Sequence, residues 1–126
     1  MKEHDIQNDI RNSLAGKAFI FRANVGSGWT GRECQLPSGD MLLKKPRRFN
    51  TGLPKGFSDT FGFRVIEITP DMVGTKIAQF VAIEVKTAKG AIRAEQSKFI
   101  DVVNNNGGCG GICRSAEDAL NLIEGK

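Results

Sequence analysis

The sequence is poor in soft metal-binding side chains. Its 126 residues include three cysteines and one histidine. An odd number of cysteines is not a disulfide framework. Cys109 and Cys113 are spaced C-x₃-C, but a zinc site would need about two more ligands. Cys34 and His4 lie far away in sequence, so the thiols are expected to be reduced, small and buried. No apolar run is long enough to cross a bilayer, and no signal-peptide pattern is visible, so a cytosolic protein with no membrane partner is expected. The stretch Gly26-Ser27-Gly28 has neither Rossmann nor P-loop spacing, and no G-K-[ST] follows it. It reads as a flexible turn next to Trp29, a residue that suits either base stacking or a core position. There is no internal repeat and no linker, so residues 1–126 are expected to form one domain.

What the chain does have is a modest excess of positive charge, +4, with a pI near 9.2. That balance favours an anionic partner without requiring one. The cations concentrate in Lys44-Lys45-Pro46-Arg47-Arg48, with Lys55 beyond, and Lys89 and Arg93 further on. A solvated charged loop is the plain alternative for the first cluster.

Hydrophobic periodicity places a helix over Lys2–Leu14 and a strand over Lys17–Val25. The segment Arg32–Lys55 carries Pro37, Gly39, Pro46, Gly52 and Pro54, and is expected to be irregular. Phe57–Gly62 is expected to be a loop. Phe63–Ile68 alternates as a strand, Thr69-Pro70-Asp71 turns, and Lys76–Thr87 is the longest strand candidate. Ile92–Asn105 reads as a helix ended by Asn106-Gly107-Gly108. Cys109–Arg114 is a short strand, and Ser115 caps a last helix, with Asp118 completing a capping box. The predicted order is α-β-β-β-α-β-α.

Within the long strand candidate, Glu84 and Lys86 fall on one face, because side chains alternate along a strand. An acid and an ammonium two residues apart on a rigid strand are a good way to hold a metal ion beside an attacking water. Alone, E-x-K also fits a solvated strand pair. A second carboxylate, Asp59, stands in the loop Lys55–Asp59, where an Asx turn is the bland alternative. The main-chain carbonyl of Val85 would add a third oxygen. Such hard donors suit Mg²⁺ or Mn²⁺. Glu3 and Gln7, one turn apart on the first helix, fit either this cleft or ordinary surface.

These residues carry a resemblance. Gly56-Phe57-Ser58-Asp59, Ile83-Glu84-Val85-Lys86-Thr87, Glu95-Gln96-Ser97-Lys98-Phe99, Gly107-Gly108 and Ser115-Ala116-Glu117-Asp118-Ala119 together resemble the virus-type replication-repair nucleases, the VRR-NUC branch of the PD-(D/E)XK superfamily. The resemblance implies an α/β restriction-endonuclease-like core, with a central mixed sheet flanked by helices. It implies that Asp59, Glu84 and Lys86 form the nuclease signature, with Asp59, Glu84 and the Val85 carbonyl as metal ligands. Gln96 matches a family glutamine pointing back into the site, and Glu3 a glutamate of the N-terminal helix. Ser58 stands where the superfamily name has proline. Members of this compact phage and bacterial type resemble homodimeric endonucleases acting on branched DNA, including four-way junctions, in repair. Under that reading Lys44, Lys45, Arg47, Arg48, Lys55, Lys89 and Arg93 are the candidate DNA contacts. A non-catalytic DNA-binding module that keeps the nuclease fold is the alternative.

Overall fold

The computed structural model describes residues 2–125. The chain is α/β, as expected. Its elements in order are α1 (Glu3–Leu14), β1 (Phe19–Arg22), β2 (Ser27–Gln35), β3 (Met41–Asn50), β4 (Thr60–Phe63), a 3-10 turn (Pro70–Met72), β5 (Val81–Val85), α2 (Ala94–Asn105), β6 (Cys109–Cys113) and α3 (Ala116–Glu124). In place of one central mixed sheet, the described strands pair two by two: β1 with β4, β2 with β3, and β5 with β6. The chain folds as two compact units. The first holds the residues through Ala15 and Phe19–Gly62; the second holds Gly16–Ala18 and the residues from Phe63 onward.

The first unit departs most from expectation. Ser27–Gln35 and Met41–Asn50 form a long antiparallel ribbon where a turn and an irregular segment were expected. Its tip turns through Gly39, with Leu36 N–H donating to the Asp40 carbonyl at 2.9 Å. Its base closes where Thr51 N–H meets the Gly26 carbonyl at 3.0 Å. Among the described residues of this unit no other helix or strand packs broadly against either ribbon strand. The expected loop at Phe57–Gly62 instead enters β4 at Thr60, and the strand expected at Lys17–Val25 shortens to four residues. Three phenylalanines anchor that pair: Phe61 sits 5.6 Å from Phe21 and 5.5 Å from Phe57, centroid to centroid.

The second unit is a parallel β5–β6 pair between two helices. Residues 64–69 join no ladder, so the strand expected at Phe63–Ile68 is absent beyond its first residue. The strand expected over Lys76–Thr87 is real only at Val81–Val85. Glycine-rich β6 lets both helices come close. A Cβ on Gly110 would touch Ile100 and Val103 of α2, and one on Gly111 would touch Leu122 of α3. Val103 is fully buried and Cys113 nearly so, and together they centre this small core.

The ends of α2 and α3 follow from their sequence. At the end of α2, Gly108 N–H donates to Val103 C=O at 2.9 Å and Gly107 N–H to Asn104 C=O at 3.3 Å. This Schellman pattern satisfies two orphan carbonyls and needs the positive φ that Gly107 adopts, +90°. Asn104 then caps the outer edge of β6. Its amide accepts from Gly110 N–H at 2.7 Å and donates to Gly110 C=O at 3.0 Å. At α3, Ser115 Oγ accepts from Asp118 N–H at 3.1 Å, as a capping serine should. The Asp118 carboxylate accepts from Arg114 N–H, one residue earlier than a capping box would have it.

Candidate active site

β5 pairs with β6 in register Ala82–Gly110 and Glu84–Ile112. Directly paired residues share a face, and the Gly110 face carries α2. Ala82, Glu84 and Lys86 therefore look toward α2 and are half-buried, whereas Val81, Ile83 and Val85 are exposed, Val85 at 77%. On this strand it is the charged face that is covered.

Three of the predicted residues meet there. Gln96, in the first turn of α2, donates from Nε2 to Glu84 Oε1 at 2.7 Å. Its own Oε1 accepts from the Arg93 N–H at 3.0 Å, an orphan donor at the helix start. That second bond fixes which end of the amide faces Glu84. Lys86 Nζ lies 3.7 Å from the same Glu84 oxygen, with Lys86 16% and Glu84 33% exposed. Both partners thus crowd Oε1, and Oε2 has none among the described residues. A hollow of about 290 Å³ opens beside Glu84, lined also by Ala82, Glu95, Gln96, Phe99 and Ile100.

The main chain supplies a further oxygen. Lys86 N–H donates to Cys113 C=O on β6 at 3.1 Å. In a trans peptide the carbonyl points opposite to the N–H, so the Val85 carbonyl points away from β6. β5 pairs with no other strand among the described residues, so that oxygen lies on an open edge.

The turn after β5 is clamped from β6. Arg114 Nη1 donates to the carbonyls of Thr87 at 2.6 Å and Gly90 at 3.0 Å. Nothing in sequence spacing singles out Arg114; only the parallel register brings it there. Glu95, at the rim of the hollow, was visible only as the neighbour of Gln96.

Asp59 and Glu3 belong to the first unit. Asp59 is exposed and stands at the entrance to β4, its carbonyl accepting from Ala23 N–H at 2.9 Å. Its carboxylate makes no hydrogen bond among the described residues, so the Asx-turn alternative finds no support in them. The preceding turn is closed by Phe57 N–H on the Pro54 carbonyl at 3.0 Å and carries Lys55. Glu3 opens α1 and is exposed. Lys44, Lys45, Arg47 and Arg48 lie on β3 of the ribbon, while Lys89 and Arg93 are exposed in the second unit, Lys89 in the turn that follows the Glu84 strand and Arg93 just before α2.

All three cysteines are free thiols. Cys109 and Cys113 share a face of β6 but stand four residues apart, roughly 13 Å along a strand, too far to share one ion. Among the described residues no three His, Cys, Asp or Glu side chains group as a metal site. The oxygens that β5 itself offers are the Glu84 carboxylate and the Val85 carbonyl. Among the described residues no helix is long and apolar enough to cross a membrane.

No curated protein and no solved structure matches the chain. The family model for the VRR-NUC domain matches residues 1–117, which takes in most of both units, and the chain belongs to the VRR-NUC family.

Proposed function

We propose that the protein is a divalent-metal-dependent endonuclease that hydrolyses phosphodiester bonds in branched DNA, four-way junctions included, and works as a homodimer. Membership of a nuclease family implies a nuclease-type function with DNA as substrate. The observation that supports catalysis most is the state of Glu84. One of its oxygens is held by Gln96 and Lys86, and the other has no partner among the described residues. A carboxylate fixed in this way suits a hard cation.

Glu84 Oε2 and the Val85 carbonyl would hold Mg²⁺ or Mn²⁺, with Asp59 as the further oxygen donor of the family signature. Such an ion, when bound, supplies Lewis-acid activation of water and neutralises charge on the scissile phosphate. Gln96 keeps the Glu84 carboxylate in one orientation. Lys86 offers its ammonium to the negative charge that develops on the phosphate, in a half-buried position where such charge counts for more than in open water. Two copies of the site related by a two-fold axis suit a substrate that needs paired incisions. Branched DNA is recognised chiefly through backbone and shape, which is work for cations.

The test is cleavage of labelled linear, forked, flapped and four-way DNA, with and without Mg²⁺ or Mn²⁺. Wild type is expected to cut the branched forms only with metal. Asp59→Ala and Glu84→Ala are expected to bind DNA and leave it intact. Cleavage by either variant at the wild-type rate would remove the proposal. Salt-sensitive binding by wild type with no metal-dependent cutting would assign the chain to the non-catalytic module.

A further inference from the structure

The run Lys44–Arg48 looks like one basic patch in sequence, but the ribbon divides it. Arg48 pairs across with Trp29, and its guanidinium lies 5.5 Å from the centre of the indole ring while donating to Ser27 Oγ at 3.0 Å. Lys44 pairs with Arg32, and Arg47 pairs with Thr30. Along β2, Thr30 and Arg32 share one face and Trp29 looks to the other. One face therefore carries Arg32, Lys44 and Arg47, and Arg48 is committed to the opposite one.

The division is built into the backbone. The register shifts between Thr30 and Arg32, where Gly31 opposes two residues, Lys45 and Pro46. Pro46 has no N–H to give the ladder, so a bulge is where it can sit. Lys45 takes a positive φ of 50° to make it. The strands come so close there that a Cβ on Gly31 would lie 2.8 Å from the Lys44 carbonyl oxygen. The bend opens a hollow of about 850 Å³, lined by Thr30, Arg32, Lys44, Arg47 and the bulge itself.

This arrangement is electrostatically unfavourable as it stands. Like charges directly across a ladder repel. None of the Arg32, Lys44 and Arg47 side chains has an ion pair or hydrogen bond among the described residues, and the strand carboxylate Glu33 pairs with Leu43 on the other face. The three cations gather on a strand pair exposed along most of its length and, among the described residues, supported by no broad packing from its own unit.

We propose that the bulged, Arg32-bearing face of the ribbon is a binding site for the phosphate backbone of a double-helical DNA arm. The inference rests on DNA being the substrate. It adds Arg32, excludes Arg48 from the same contact, and places the contact in the first unit, whereas Glu84 lies in the second. A two-stranded ribbon has the width to enter a DNA major groove. Residues alternating on one of its faces repeat at roughly 6.7 Å, twice the 3.4 Å axial rise of phosphates along one strand. Several phosphates can therefore be met by one rigid face, and their charge relieves the repulsion among the cations.

The experiment uses the full chain in EDTA, so that cutting plays no part. Binding of a labelled duplex is followed by fluorescence anisotropy across a salt series. The variant Arg32→Gln/Lys44→Gln/Arg47→Gln keeps strand-compatible stems and removes three charges. Lys2→Gln/Arg11→Gln/Lys76→Gln removes as many elsewhere. The ribbon variant is expected to bind at least tenfold more weakly, with its log–log salt slope shallower by about three, one for each lost phosphate contact. Arg32→Lys/Arg47→Lys, which keeps the charge, is expected to hold the wild-type slope and guards against a folding artefact. Equal slopes and affinities for the ribbon variant and its charge-matched control would overturn the proposal, as would absence of wild-type binding to duplex DNA. Failure of the nuclease reading shows instead as ribbon-dependent binding without metal-dependent cleavage.

Discussion

The Gln96 amide joins two tasks, accepting the Arg93 N–H at 3.0 Å and donating to Glu84 Oε1 at 2.7 Å. The start of α2 and the orientation of the candidate catalytic carboxylate are thus fixed by one side chain. Gln96→Ala is expected to lower stability by about 1 kcal/mol through the lost cap and activity by roughly 10–100-fold through a loosened Glu84. Gln96→Glu separates the two effects. Glutamate accepts the Arg93 N–H as well as glutamine does, yet it sets a second carboxylate against Glu84. Its helix start should stay formed, read as amide-exchange protection in the first turn of α2, while cleavage falls as in Gln96→Ala. Wild-type cleavage by Gln96→Glu would show that the bond to Glu84 has no part in the reaction.

Lys86 is the better buried member of its pair with Glu84, at 3.7 Å. A partly exposed pair of this kind contributes little to folding, under about 1 kcal/mol. Its charge is worth more to a phosphate gaining negative charge in the transition state. Lys86→Met keeps the stem and removes the ammonium. It should cost roughly 10²–10³-fold in cleavage rate, with the midpoint of thermal unfolding and DNA binding in EDTA close to wild type. Lys86→Arg should recover only part of the rate, because a planar fork does not place its charge where a compact ammonium does. A parallel fall in binding and cutting would make Lys86 a DNA contact and not a catalytic one.

The elements that sequence revealed and those it hid differ in how they are stabilised. α1, α2 and α3 carry helical periodicity with recognisable ends, and β6 is bracketed by glycine and a capping serine. Glu84 and Lys86 were legible because a two-residue strand period and the family pattern agree on them, whereas Gln96, on a helix, was marked by the family pattern alone. The ribbon was not legible, because Pro37, Gly39 and Pro46 are ordinary loop markers. Here Gly39 is the hairpin tip and Pro46 the bulge. A ribbon with cations in its middle and both faces exposed has no apolar alternation to find. Phe63–Ile68 shows the opposite error: its alternation is clear, but no strand pairs with it beyond Phe63. Arg32 and Arg114 became visible only through pairing across strands distant in sequence.

Arg114 tests the turn after β5. Its guanidinium collects the carbonyls of Thr87 and Gly90 and so ties the end of the Glu84 strand to β6. In Arg114→Ala these carbonyls turn to water. The expected loss of stability is about 1 kcal/mol, because the site is exposed and water replaces much of what is lost. The sharper readout is local. Native-state trypsin cleavage after Lys86 and Lys89 should accelerate well beyond what the global loss predicts. Proportional acceleration at every tryptic site would mean that the clamp has only a general structural effect.

Gly107 and Gly108, adjacent and both small, should answer differently to alanine. At Gly107 a Cβ meets nothing within 4 Å, but φ is +90°, so the penalty is backbone strain of about 1–2 kcal/mol. At Gly108 the backbone is unstrained but a Cβ would sit 2.6 Å from Val103 Cγ1, with the carbonyls of Val103 and Phe80 at 3.0 and 3.1 Å. Val103 is the one fully buried large side chain among the described residues and has nowhere to retreat, so the strain passes to the packing of α2 on β6. Adding Val103→Ala should therefore relieve Gly108→Ala and leave the penalty of Gly107→Ala unchanged, as read by a double-mutant cycle in urea. Additivity of Gly108→Ala with Val103→Ala would show that the two residues do not press on each other.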